Sequence, residues 1–189
     1  MVPTKLLRGR RVRLGAMTQD DLETVARWYE DPGFLRFYDS RPAYPKPKES
    51  LKKWLEERQD ASDEFLFAVR LVPSDELIGM VSIDDIEWTN RMGWLSVGIG
   101  DPANWNRGFG SEASELLLEF AFSELNLHRV TLTVFRYNER AIALYERLGF
   151  QHEGTFRDFG ERDGKRYDML LYGLLRPEWL EKRGLRSPE

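Results

Sequence analysis

Trp105-Asn106-Arg107-Gly108-Phe109-Gly110-Ser111-Glu112-Ala113 lies between a strand-like run, Gly93 to Ile99, and an amphipathic run from Gly108 to Leu125. Glycines at alternate positions leave no Cβ to hold a ligand away from the backbone N–H groups. The helix that follows has four N–H groups without an intrahelical partner and a partial positive charge at its start. Together these features suit a cradle for a pyrophosphate, with Arg107 adding a full charge beside it, and a tight turn before a core helix is the alternative reading of the same residues. Leu95-Ser96-Val97-Gly98-Ile99-Gly100, just upstream, carries two glycines in a strand. Such glycines mark a bulge or a close backbone approach. A bulge here would splay the strand from its neighbour and open an edge to an extended, amide-bearing ligand. The pantetheine arm of coenzyme A is such a ligand.

The rest of the chain is read outward from that turn. Arg11 to Leu14, Glu64 to Val72, Leu77 to Ile86, Gly93 to Ile99 and Val130 to Phe135 read as strands. Thr155 to Phe159 and Tyr167 to Leu174 read as a hairpin across Asp163-Gly164. Helices fit Thr18 to Tyr29, Pro47 to Gln59, Gly108 to Leu125 and Asn138 to Leu148, with Gly149 as a C-cap. Arg41 to Lys48 is a Pro-rich loop between the two early helices. Strands alternate with helices only in the second half, so a mixed α/β sheet is expected, mostly antiparallel and flanked by helices. One domain should span 1–181, with a polar tail at 182–189.

Composition narrows the chemistry. The chain has 28 Lys and Arg against 32 Asp and Glu, a net charge of −4. There is no basic excess for a nucleic-acid binder. With no cysteine, disulfides, zinc–thiolate sites and cysteine nucleophiles are excluded, and His128 and His152 alone do not suggest a metal site. No run is long enough to span a membrane and no signal peptide opens the chain, so a cytoplasmic protein is expected.

Gly108 to Ala113 also fits the dinucleotide fingerprint G-x-G-x-x-A. That fingerprint follows a strand directly, in the first βαβ unit. Here a polar loop intervenes, half the chain comes first, and the next strand ends at Phe135-Arg136 without a carboxylate. Hydride transfer is therefore disfavoured.

Asn138, Ala141, Ile142, Tyr145 and Leu148 share one face of one helix. Asn138 is a natural N-cap. With Gly149-Phe150 they form N-x-x-A-x-x-x-Y-x-x-x-G-F, one helix and one strand after the glycine turn. In this the chain resembles the GNAT family of N-acetyltransferases. The glycine turn matches the family's Q/R-x-x-G-x-G/A, with Gly108 and Gly110 in register. Trp105 replaces the usual Gln or Arg, as in the branch that resembles ribosomal-protein N-terminal and spermidine acetyltransferases. Arg11-Val12-Arg13-Leu14 followed by Asp20-Asp21-Leu22 is similar to that branch too.

The resemblance implies an acetyl group moved from acetyl-CoA to a primary amine, by direct attack in a ternary complex and without a metal. Val97, Gly98, Ile99, Trp105, Asn106, Arg107, Gly108, Phe109, Gly110, Ser111 and Asn138 would hold the cosubstrate. The backbone at Val97 to Ile99 would offer an oxyanion donor, and Tyr145 would protonate the thiolate. Asp84, Asp85 and Glu87 lie on or just after a strand beside the site, and Glu87 is the expected base. Tyr38 and Tyr44 are expected to wall an acceptor slot for a protein N-terminus, a polyamine or another small amine. The hairpin around Arg157 to Arg166 completes that slot or forms a homodimer contact. A non-catalytic acyl-CoA sensor is the alternative, against which an intact Tyr145 argues.

Overall fold

The computed structural model describes residues 6–185. Its strands are β1 (Val12–Ala16), β2 (Phe65–Leu71), β3 (Leu77–Glu87), β4 (Met92–Ile99), β5 (Arg129–Phe135), β6 (Gln151–Arg162) and β7 (Lys165–Leu175). Its helices are α1 (Leu22–Tyr29), α2 (Pro32–Tyr38), α3 (Lys48–Asp60), α4 (Phe109–Ser123), α5 (Glu139–Leu148) and α6 (Arg176–Lys182). The strands form one seven-stranded sheet in the order β1-β2-β3-β4-β5-β7-β6. Every neighbouring pair is antiparallel except β4–β5, which is parallel.

Side chains alternate between the two faces of a strand, and two cores result. On one face Ala68 and Met80 pack with Leu22, Val25, Trp28, Phe34, Leu51 and Leu55 of α1–α3. On the other, Val69, Val81, Ile83 and Leu132 pack with Leu117, Phe122, Leu148 and Trp179 of α4–α6.

Local signals explain most boundaries. Asp21 accepts from both the backbone N–H and the hydroxyl of Thr18, closing a short 3-10 turn ahead of α1. Gly149, at φ 105°, ends α5 with its N–H bonded to the Tyr145 and Glu146 carbonyls. Asp163 and Gly164, both at positive φ, turn the β6–β7 hairpin.

The structure differs from expectation in three places. Helix α2 occupies a stretch to which the sequence assigned no element. Its signal is local: Asp31 accepts from the Gly33 N–H at 2.8 Å, and Pro32 sits in the first turn, where a missing N–H costs nothing. Lys182, assigned to the tail, ends α6, and Arg183 pairs with Glu119 while lying over the Trp179 ring. Residues 186–189 of that tail lie outside the described residues. Finally, β4 has no bulge at its glycines, and its register with β3 runs unbroken from Asp84↔Trp94 to Gly79↔Ile99. A Cβ on Gly98 would stand 2.7 Å from the Tyr38 ring, and one on Gly100 2.0 Å from the Trp28 indole. These glycines admit the rings of α1 and α2 against the strand.

Candidate active site

The β4–β5 ladder contains three pairs, Met92↔Arg129, Gly93↔Val130 and Trp94↔Thr131. Beyond Trp94, β4 continues against β3 alone, and β5 beyond Thr131 continues against β7 alone. The two strands diverge, as the sequence suggested, but without the bulge. Their gap opens into a trench of about 1710 Å³ lined by Trp94 to Ile99 on one side and Thr133 to Phe135 on the other.

The glycine turn closes one end of this trench. Gly108, at φ 78°, is the N-cap of α4, a backbone state that glycine reaches without strain. The Glu112 N–H is bonded back to the Gly108 carbonyl at 3.1 Å. The N–H groups of Phe109, Gly110 and Ser111 therefore precede any i−4 partner and face the end of the trench. A Cβ on Gly110 would meet only Ile99, at 3.6 Å, so the space over this turn is clear of protein. An anion fits such a place, drawn by free donors and by the helix dipole.

Most of the expected cosubstrate residues line the trench: Val97, Gly98, Ile99, Trp105, Asn106, Gly108, Phe109, Gly110, Ser111 and Asn138. Trp105 donates its indole N–H to the Ile99 carbonyl at 2.7 Å, which fixes the loop against the end of β4. Asn138 caps α5 by accepting from the Ala141 N–H.

Arg107 is the exception. Its guanidinium donates to Asn104 and lies over the Phe109 ring, and it is absent from the lining. A cation that does reach the turn is Arg11, whose guanidinium donates to the carbonyls of Arg107 and Gly108 and pairs with Glu112. Sequence spacing could not have found it, because Arg11 arrives from β1, a hundred residues away.

Tyr145 also lines the trench. Its ring packs edge-on against Phe150, and its hydroxyl makes no hydrogen bond among the described residues. Burial pushes its phenol well above the ordinary tyrosine range, so it carries its proton at neutral pH.

Glu87 is not brought to the trench. It is exposed at the β3–β4 turn, where its carboxylate accepts from the Asn90 side chain at 2.7 Å. The register of β3 shifts between Asp84 and Glu87, with Asp85 at φ 48°, so counting alternate faces past Asp84 fails. Asp84 instead reaches the trench wall through Ser96, a lining residue whose hydroxyl donates to it at 3.1 Å.

The α2 side of the trench is lined by Phe34, Phe37, Tyr38, Trp94 and Phe159, and Phe37 reaches edge-on to Trp105 of the glycine turn. Helix α2 crosses the gap there: Tyr38 stacks over Phe34 on the β4 side, while the Tyr137 hydroxyl donates to the Arg36 carbonyl on the β5 side. The β6–β7 hairpin meets α2 through a two-pronged Arg36–Asp163 pair. Arg162 donates to the carbonyls of Asp39, Ser40 and Arg41. Tyr44 stands exposed and outside this lining.

No described helix is long and apolar enough to cross a membrane, and no group of three metal-ligating side chains occurs among the described residues. Comparison with known proteins agrees with this geometry. Residues 11–151 match the model of the acetyltransferase (GNAT) domain. The SPbeta prophage-derived uncharacterized N-acetyltransferase YokL of Bacillus subtilis (strain 168) is 30% identical over 149 residues, 79% of this chain and 82% of that one. The spermidine N(1)-acetyltransferase of Escherichia coli (strain K12) is 26% identical over 145 residues, 76% of this chain and 74% of that one. In fold, the chain is similar to the spermidine N-acetyltransferase of Vibrio cholerae, crystallised with CoA and spermine. The TM-score is 0.82 at 24% identity, covering 89% of this chain and 98% of the other. With a parallel strand pair that parts after three residue pairs and a glycine-capped helix at its open end, the chain belongs to the GNAT acetyltransferase family.

Proposed function

We propose that the trench seats acetyl-CoA along β4 and the start of α4, and that a small primary amine meets the acetyl group from the α2 side. The observation that carries this reading is the early end of the β4–β5 ladder, with an uncovered strand edge leading to free helix N–H groups. The N–H groups of Phe109, Gly110 and Ser111 take the pyrophosphate, with Arg11 behind them. The edge at Val97, Gly98 and Ile99 holds the pantetheine amides, while Trp105, Asn106 and Phe109 wall the turn. Arg107 makes at most a long-range contribution, screened by solvent.

A neutral amine attacks the thioester carbon, and negative charge develops on the carbonyl oxygen. A β4 backbone N–H near Val97 donates to that oxygen. Tyr145 donates to the departing sulfur, and Asn138 holds the start of its helix. A phenol is ordinarily less acidic than a thiol, about 10 against about 8.5. Tyr145 therefore stabilises the departing thiolate as a hydrogen-bond donor.

The acceptor end favours an amine on an apolar body. Its walls are largely aromatic, and Asp39, the carboxylate among its lining residues, is engaged by Arg41. A polyamine would need further acceptors for its other cations. Phe156, half-exposed beside Phe159 on β6, supports a contact between two copies of the chain, which light scattering would test.

The deciding experiment follows free thiol release from acetyl-CoA with arylalkylamines, alkylamines, spermidine and N-terminal peptides. Turnover with small amines is expected. Tight acetyl-CoA binding without thiol release for any amine would favour a sensor.

A further inference from the structure

A polar cluster lies beneath the trench, on the sheet face covered by α1–α3. Ser96 lines the trench on β4, and its hydroxyl donates to Asp84 Oδ2 on β3 at 3.1 Å. Asp84 Oδ1 is wholly buried and has no hydrogen-bond partner among the described residues. Arg58 Nη1 of α3 stands 3.5 Å from it and pairs closely with Glu64, which enters β2. Ser82, the β3 residue paired with Ser96, holds a second buried hydroxyl without a partner among the described residues. The face is completed by Tyr38 of α2 and Tyr29 of α1, both neutral phenols held above their ordinary range by burial, with Asp39 and Asp63 farther out.

These charges do not balance as drawn. Two half-buried carboxylates share one guanidinium, which leaves an excess negative charge in a place poor in water. The group pushed upward is Glu64, to about 7, by its burial first and then by Asp84, against the opposing pull of Arg58. A proton on Glu64 would supply the donor that Asp84 Oδ1 lacks. Glu64 then holds that proton below neutral pH and loses it above.

We infer that Ser96 and Asp84 form a relay that removes the first proton from the acceptor amine, with Glu64 and Arg58 setting how strongly Asp84 accepts it. The inference rests on the acetyltransferase reading above. The ammonium of the incoming amine gives a proton to Ser96 Oγ as the Ser96 hydroxyl proton moves to Asp84 Oδ2. The neutral nitrogen then forms the C–N bond while the C–S bond breaks. The nitrogen's second proton, lost as the amide forms, passes to the thiolate that Tyr145 holds by a hydrogen bond, which yields the free thiol. Asp84 returns its proton to solvent before the next turnover. Ser96 is the group that touches substrate, and Asp84 and Glu64 act through it.

Three variants test the relay: Ser96→Ala, Asp84→Asn and Glu64→Gln. Each is measured for acetyl-CoA affinity by calorimetry and for kcat and KM with the best amine between pH 5.5 and 9. In the parent enzyme kcat/KM should rise through about pH 7, as Glu64 loses its proton. That step is separate from the amine's own ionisation at higher pH. Ser96→Ala and Asp84→Asn should lower kcat by roughly 10²-fold, the usual worth of a general base, with acetyl-CoA affinity unchanged. Glu64→Gln should remove the step near neutrality, and Ser96→Thr, which keeps the hydroxyl, should restore most of the rate. An unchanged kcat and pH profile in both Ser96→Ala and a folded Asp84→Asn would overturn the relay while leaving the acetyltransferase standing. A parent protein that binds acetyl-CoA but acetylates no amine would overturn both.

Discussion

The two ends of the trench are made of different material. At the α4 end the ligand-facing groups are backbone N–H groups presented by a left-handed Gly108 and an open Gly110. At the α2 end they are side chains, Phe34, Tyr38 and Phe159, brought together from a helix and a hairpin more than a hundred residues apart. A site made of backbone is hard to delete and easy to block. A site made of side chains can be changed one residue at a time. The first suits a cosubstrate that never varies, the second an acceptor that does.

The largest effect should come from blocking the backbone end. Gly110→Val should abolish measurable acetyl-CoA binding by calorimetry and leave the circular dichroism spectrum and melting temperature nearly unchanged. The protein itself leaves room there, since a Cβ meets only Ile99. Unchanged affinity in the folded variant would remove the contrast between the two ends.

Next is Tyr145→Phe, between the two ends. It keeps the ring against Phe150 and should lower kcat by roughly 10²-fold with little change in acetyl-CoA affinity. A loss of affinity at constant kcat would move Tyr145 from the chemistry to the cosubstrate wall.

Gly98→Ala probes where the two ends share a strand. The added methyl must displace the Tyr38 ring, so stability should fall by about 1–3 kcal/mol in urea unfolding. The amine KM should rise more than the acetyl-CoA Kd. Equal changes in both would show that the ends are not separable.

The smallest effects concern the two arginines. Arg11→Ala should weaken acetyl-CoA several-fold, most at low salt, because it supports the turn through two carbonyls and Glu112. Arg107→Ala should change affinity by less than about twofold, as for an exposed charge beside solvent. The reverse order would put the anion on the outer side of the turn.

The same contrast governs what could be read from the chain. The glycine cradle and the Asn138–Tyr145 face were legible because local rules of spacing and turn conformation carry them, whereas the splayed pair was expected from a bulge that β4 lacks. Arg11 was not, because its place depends on β1 lying beside α4. Glu87 was misplaced because the β3 irregularity at Asp85 resets the alternation of faces. Ser96 and Asp84 meet diagonally across two strands, a contact that only the register reveals. Helix α2 could have been found from Asp31-Pro32, a cap and first-turn pair that outweighs the glycine that follows.

The rings of Trp28 and Tyr38 resting where Gly100 and Gly98 lack side chains make β4 and the acceptor helices a matched set. Acceptor preference in such an enzyme cannot be transplanted by exchanging the α1–α2 segment alone. A donor segment with smaller rings would leave holes over the bare strand, and a recipient strand with larger residues would refuse the rings. Segments that change the choice of amine must travel with their strand, so new specificities arise in this scaffold by paired exchange.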